Sequence, residues 1–201
     1  MEAAKTNQFD NSPLGDRGIN KIHPHKFLLW MALGGICMMF AGLTSAYIVR
    51  RNQSNWLEFS FPITFWYSTV VIILSSVTMQ LSLKYFQAGE INKFKNLVSA
   101  TTVLGILFMV LQLYSFNSLS HSGVKLLGQG SNPSASFLVV IIGIHMLHVF
   151  GGVIGLLIVF FKSFSNRIKN NNSAPLEIAA TYWHFVGLLW IYLFIFLNWI
   201  K

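Results

Sequence analysis

From Ile178 to Ile200 the chain carries no Asp, Glu, Lys or Arg. The run reads IAATYWHFVGLLWIYLFIFLNWI and is flanked by Glu177 and Lys201. At 1.5 Å per residue it spans about 35 Å as a helix, enough to cross a hydrocarbon core of ~30 Å. Only a helix or a closed barrel satisfies the backbone in lipid, and a continuous apolar run of this length specifies the helix. Tyr182, Trp183 and His184 stand together near its start. A histidine on a span is costly unless it meets protein, water or a headgroup, so one face of this helix meets something other than lipid tails.

Four more runs of the same kind precede it, over about 27–49, 61–83, 97–119 and 136–161, with the last span at about 178–200. The fold expected is all-α, an integral membrane bundle of five transmembrane helices over 27–201, behind a polar tail of residues 1–26. The composition agrees, with 54% hydrophobic and 10% charged residues against about 25% charged in a soluble domain. The tail has no apolar stretch to act as a signal peptide, so the first span is expected to drive insertion. Cys37 is the single cysteine, so disulfides and cysteine-based metal frameworks are excluded.

The net charge of +8 is distributed by side rather than gathered into a nucleic-acid surface, and no nucleic acid is expected as a partner. Ten basic residues fall on the N-terminal tail and the second and fourth loops; the other side has four, namely Arg50, Arg51, Lys125 and Lys201. The positive-inside rule then puts the N-terminus in the cytoplasm and the C-terminus outside. Lys84, Glu90, Lys93 and Lys95 are read as filling the second loop. Pro62 is expected in the first turn of span two, where its missing N–H costs little.

Small residues suggest close helix approaches. Gly42 and Ala46 are four apart on span one, and Gly151 and Gly155 form a GxxxG pair on span four. Span two carries Ser68, Thr69, Ser75, Ser76, Thr78 and Gln80, read as cross-helix hydrogen-bonding groups or, alternatively, as a water or proton path.

The polar residues able to do chemistry are His145, His148 and His184, with Glu177 at the membrane edge. His145 and His148 are i, i+3 and share a helix face. These histidines admit haem ligation across two helices, a metal site, a proton relay, or structural and headgroup contact. A metal centre requires third and fourth ligands at a suitable place, and none is visible. No Asp, Glu, Lys or Arg lies mid-span, which argues against a small transporter and against a chain that pumps by itself.

In sequence order, SFPITFWYSTVVIILSSVTMQ, LGILFMVLQLYSF, SNPSASFLVVIIGIHMLHVFGG and AATYWHFVGLLWIYLF after Glu177 form a set. Over residues 25–200 this set resembles subunit III of the haem-copper terminal oxidases, the cytochrome c oxidase subunit III family, in its short five-helix bacterial form. The resemblance implies a subunit without redox centres, in a bacterial cell membrane. Its helices hold phospholipid in a cleft, and haem and copper sit on partner subunits. The partners implied are catalytic subunit I, subunit II and membrane phospholipids, within a respiratory supercomplex where one forms. The role implied is support of assembly, lipid binding and proton uptake in an oxygen-reducing, proton-translocating complex, with no catalytic residue and no metal on this chain.

The positions implied for lipid and packing contacts are His145, His148, Glu177, Trp183 and His184. Two positions depart from the family pattern. Its carboxylate in the first helix falls on Ile36, and the aspartate of its YWHFVD motif falls on Gly187. Both losses favour scaffolding and lipid holding over proton handling. The remaining alternatives are a subunit III-like partner of a quinol oxidase or nitric oxide reductase, and an independent membrane cytochrome using His145 or His148 with His184.

Overall fold

The computed structural model describes residues 24–51, 63–121, 133–164 and 174–200. The polar tail as far as His23, the loop carrying Trp56, Pro62, Asn132, Arg167, Lys169 and Lys201 lie outside the described residues.

Five helices make up the described chain: α1 (Pro24–Arg51), α2 (Thr64–Gln87), α3 (Ile91–His121), α4 (Pro133–Phe164) and α5 (Ala174–Trp199). All five are long and apolar enough to cross a membrane, and the chain is an all-α, multi-pass membrane protein. Each corresponds to one expected span, although several helices run past the apolar segment that announced them. The largest extension is at the start of α3, which begins at Ile91 rather than Leu97. The physical reason is that Phe94 is buried there and meets Phe86 of α2 in a tilted ring contact at 5.0 Å, so the helix continues into the polar layer.

The second loop is accordingly much shorter than expected. Lys84 belongs to α2, and Lys93 and Lys95 belong to α3. The turn is only Ala88-Gly89-Glu90. Gly89 adopts φ +78°, which a side chain would strain. Its N–H donates to Phe86 O at 3.1 Å and the Glu90 N–H donates to Tyr85 O at 3.0 Å, the paired bonds of a Schellman motif. This turn makes α2 and α3 a tight antiparallel hairpin.

That hairpin has a coiled-coil rhythm. The buried residues of α2 are Phe65, Ser68, Ile72, Ser75, Met79 and Ser82, alternately three and four apart. On α3 the buried series Phe94, Val98, Thr101, Gly105, Phe108, Gln112 and Ser115 steps the same way. A 3.5-residue period keeps one seam facing its partner along the whole length. Small hydroxyl residues at alternate positions let the backbones approach closely.

Helices α2 to α5 close into a ring: α2 packs on α3, α3 on α4, α4 on α5, and α5 back on α2. Helix α1 lies outside this ring, against α4 and α5. The core runs through the middle of the ring, where Trp183, Trp190, Phe65, Phe108, Ile141 and Leu138 are all less than 2% exposed.

Candidate functional site

Trp183 sits at the centre of the ring because two helices make room for it. A Cβ on Gly105 of α3 would lie 2.9 Å from Trp183 Cη2, and one on Gly152 of α4 would lie 3.1 Å from Cε3. The indole therefore fills a notch cut by these two glycines. Its Nε1–H donates to Ser75 Oγ of α2 at 3.0 Å, and Ser75 Oγ–H donates to Thr101 O of α3 at 3.4 Å. A single relay of bonds thus joins α5, α2 and α3. Two turns further along α5, Trp190 Nε1–H donates to Thr69 Oγ1 at 3.0 Å. Gln112 of α3 donates to Ser68 Oγ at 2.9 Å, and Thr78 meets Thr101 at 2.9 Å. The hydroxyls of span two act as cross-helix glue, as one of the two sequence readings expected. Their worth is about 0.6–2 kcal/mol each in a membrane.

The glycine pairs singled out by spacing are not the close approaches. Nothing lies within 4 Å of a Cβ built on Gly42 or Gly155, and Gly151 meets only the Tyr182 hydroxyl at 3.8 Å. Gly152, one residue along from Gly151, carries the contact instead. The partner is a tryptophan side chain rather than a second backbone, so no small-xxx-small spacing was needed.

The five sequence-predicted site residues fall in four places. His145 and Trp183 are in the core, both fully buried. His145 stacks on Trp190 at 5.3 Å and meets the Phe40 ring of α1 edge-on at 6.3 Å. Neither of its ring nitrogens has a hydrogen-bond partner among the described residues. His148, one turn on, faces the same Phe40 at 5.9 Å. The shared face inferred from the i, i+3 spacing is therefore the face on which α1 rests. The Nδ1 of His148 lies 2.8 Å from Ile144 O of its own helix, and its carbonyl accepts from the Tyr182 hydroxyl at 3.0 Å.

Glu177 lies at the membrane edge and pairs with Lys26 of α1 at 2.7 Å, both partly exposed. His184 points elsewhere again, its Nε2 lying 3.1 Å from Gln80 Oε1 of α2. The Lys26 and Gln80 partnerships were not foreseen, and no signal in the sequence joins residues 151 and 104 positions apart. Among the described residues no group of three or more His, Cys, Asp and Glu is arranged to hold a metal.

Ile36, where the family pattern would place a carboxylate, is an ordinary apolar residue packed against the core. Gly187 faces α2, where a Cβ would lie 3.3 Å from Ser76 Oγ. An open space lies between α1, α4 and α5. It is a groove of about 540 Å³, with Gly151, Gly152 and Gly155 along α4, Leu29 and Tyr182 across from them, and Lys162 at one end.

The family model for cytochrome c oxidase subunit III matches residues 58–201. The chain belongs to the cytochrome c oxidase subunit III family. Its similarity to individual members is distant but extends over most of both chains. It is 27% identical to cytochrome c oxidase subunit 3 of Bacillus sp. (strain PS3), over 85% of this chain and 83% of that protein. It is 28% identical to a probable cytochrome c oxidase subunit 3 of Nocardia farcinica, over 83% and 82%. The protein of the same name from Corynebacterium diphtheriae is 29% identical, over 82% of each chain. A subunit III is by definition part of a complex with other oxidase subunits.

Proposed function

We propose that this chain is a non-redox integral subunit of a haem-copper terminal oxidase, built to hold lipid and to stabilise the catalytic subunit. Its partners are subunits I and II, which carry the haem and copper. The complex reduces oxygen and translocates protons, and this chain supports assembly and proton uptake without a catalytic residue of its own. It sits in a bacterial cell membrane with its N-terminus in the cytoplasm. The observation that carries the reading, beside family membership, is the content of the ring. Trp183, notched between two glycines and bonded to Ser75, and Trp190, bonded to Thr69, occupy the space between helices.

The cytochrome alternative finds no support in the geometry. His145 stacks inside the ring, His148 faces α1, and His184 faces α2, so no two of them on different helices face each other. Partnership with a quinol oxidase or nitric oxide reductase differs only in the catalytic subunit and is decided by what co-purifies. Lipid holding is supported by the groove between α1, α4 and α5. Its wall is apolar, its floor is bared by glycines, and the exposed Lys162 ammonium stands at its end to meet an anionic headgroup. With Ile36 and Gly187 in place of carboxylates, support of proton uptake is indirect, through a correctly seated catalytic subunit.

The test is to tag the chain, extract it in mild detergent, and record the visible spectrum and the mass-spectrometric composition of the eluate. The expected result is a haem-copper catalytic subunit in the eluate, with the chain colourless once separated. A coloured eluate containing this chain alone would overturn the proposal.

A further inference from the structure

A separate groove of about 480 Å³ is lined by α2 and α5 alone. It is mostly apolar, with Ile72 and Ile191 at one end, but Ser76, Gln80 and His184 open into the other. Gly187 forms part of its floor, and a side chain there would press on Ser76 Oγ. Within the groove His184 Nε2–H donates to the Gln80 carboxamide oxygen. That leaves the two carboxamide N–H groups of Gln80 and the Ser76 hydroxyl without a partner among the described residues. Donors left unpaired where the hydrocarbon begins are costly, so an acceptor belongs in this groove.

The depth of the polar end says which acceptor. His184 is seven residues along α5 from Glu177, about 10 Å, and Gln80 is four residues from Lys84, about 6 Å. A bilayer of ~40–45 Å with a ~30 Å hydrocarbon core leaves roughly 5–8 Å of headgroup layer on each side. The pair therefore lies at the floor of that layer, where the ester carbonyls of glycerolipids sit. From Gln80 to Ile72 the groove runs a further eight residues, about 12 Å, towards the bilayer centre. Polar at the ester level and apolar beyond it is the order of groups along an acyl ester. A partner helix fits less well, since 12 Å of helix at ~10–12 Å diameter occupies on the order of 1,000 Å³. No Asp, Glu, Lys or Arg lines the groove, so the headgroup charge is not read.

We propose that the α2–α5 groove binds one acyl chain of an ester-linked glycerolipid, with a chain-ester carbonyl accepting from the Gln80 carboxamide. The occupant is distinct from the lipid of the Lys162 groove and is selected by its ester and chain rather than by its charge. The inference rests on the reading of the chain as a subunit embedded in lipid.

The test uses the complex as purified, reconstituted with phosphatidylcholine or phosphatidylglycerol carrying a photoactivatable diazirine on one acyl chain. Labelled peptides of this chain are then mapped by mass spectrometry. The expected result is labelling of the α2 and α5 groove segments by both lipids. Val77→Trp, at an exposed rim position, fills the groove from outside without touching the core and lowers that labelling about tenfold, the factor that corresponds to ~1.4 kcal/mol. Gln80→Leu lowers it as well, and Lys162→Ala leaves it unchanged. Labelling that is insensitive to Val77→Trp overturns the proposal, as does labelling by the anionic lipid alone. So does cross-linking of the same segments to another subunit in place of lipid. Labelling is scored on this chain and oxidase co-purification on its partners, so this inference and the functional one fail separately.

Discussion

The seam inside the ring and the contact that holds α1 to it are built on different principles. Inside the ring, Trp183 enters a notch between two glycines, and the indole N–H groups of Trp183 and Trp190 are each caught by a hydroxyl on α2. Every helix of the ring is fixed by two neighbours. Helix α1 has one buried stripe, Leu33, Phe40, Thr44 and Tyr47, and two neighbours on the same side. It is fastened by the Phe40 ring between His145 and His148, by a Thr44–Tyr192 hydroxyl contact at 3.2 Å, and by the Lys26–Glu177 pair. Its small residues Gly34, Gly35, Gly42 and Ala46 face outward with open space around the glycines. The ring closes without α1, so α1 is expected to behave as a separable element with an exposed outer face.

The sharpest way to break this contrast is to compare two large-to-small changes of similar local cost. Trp183→Ala empties the notch and removes the bond to Ser75, with an expected loss of about 3–5 kcal/mol. The effect should be global, seen as a single lowered unfolding transition of all helices. Phe40→Ala also removes a ring that is 1% exposed, at about 3 kcal/mol, at the low end for this change. Its effect should be confined to α1. Hydrogen exchange would show faster amide exchange in residues 24–51 and unchanged protection in α2 to α5. Equal loss of protection in the ring would mean that α1 is not separable.

Overpacking probes the same notch from the other side. Gly152→Leu puts a side chain where the Trp183 ring already lies, costing about 1–3 kcal/mol. Gly155→Leu, three residues on in the same helix, enters open space and should cost almost nothing to the unfolding midpoint. If the two variants unfold alike, the glycine notch is not what seats Trp183.

How much of this was visible in the sequence depends on the range of the interaction. The five helices were legible, because hydropathy over 20 residues is a local property. The Phe40 clamp was half legible, since i, i+3 spacing puts His145 and His148 on one face but does not name what they face. The hairpin seam was obscured because serine at positions 68, 75 and 82 hides a heptad pattern from any scale that counts apolar residues. The glycine spacing misled for a different reason. GxxxG says that a face is bare, not that it is filled, and at Gly155 it stays bare. The family was legible from motif order, whereas the His184–Gln80 groove depends on residues 104 apart and on an absent side chain at Gly187.

A smaller change sharpens the account of the seam. Ser75→Ala removes the acceptor for Trp183 Nε1–H while leaving the indole in its notch. A buried donor without a partner costs about 1–3 kcal/mol, and the bond itself in a membrane about 0.6–2 kcal/mol. The variant should therefore unfold between the wild type and Trp183→Ala. Its indole should report the loss directly, as a shift of the Nε1–H stretch towards the frequency of a free N–H.

The smallest effect is expected at the membrane edge, where α1 and α5 meet through Lys26 and Glu177. The side chains are 40% and 29% exposed, so water screens the pair and holding two flexible chains together costs entropy. A double-mutant cycle of Lys26→Met and Glu177→Gln should give a coupling of about 0.2–1 kcal/mol, shrinking as salt is raised. A coupling well above that range, insensitive to salt, would mean that this pair rather than Phe40 anchors α1. The contrast between ring and appendage would then rest on electrostatics at one end of the helix. A coupling near the lower bound leaves the Phe40 clamp as the main fastening, and it predicts that Lys26→Met alone leaves α1 protected from exchange except in its first turn.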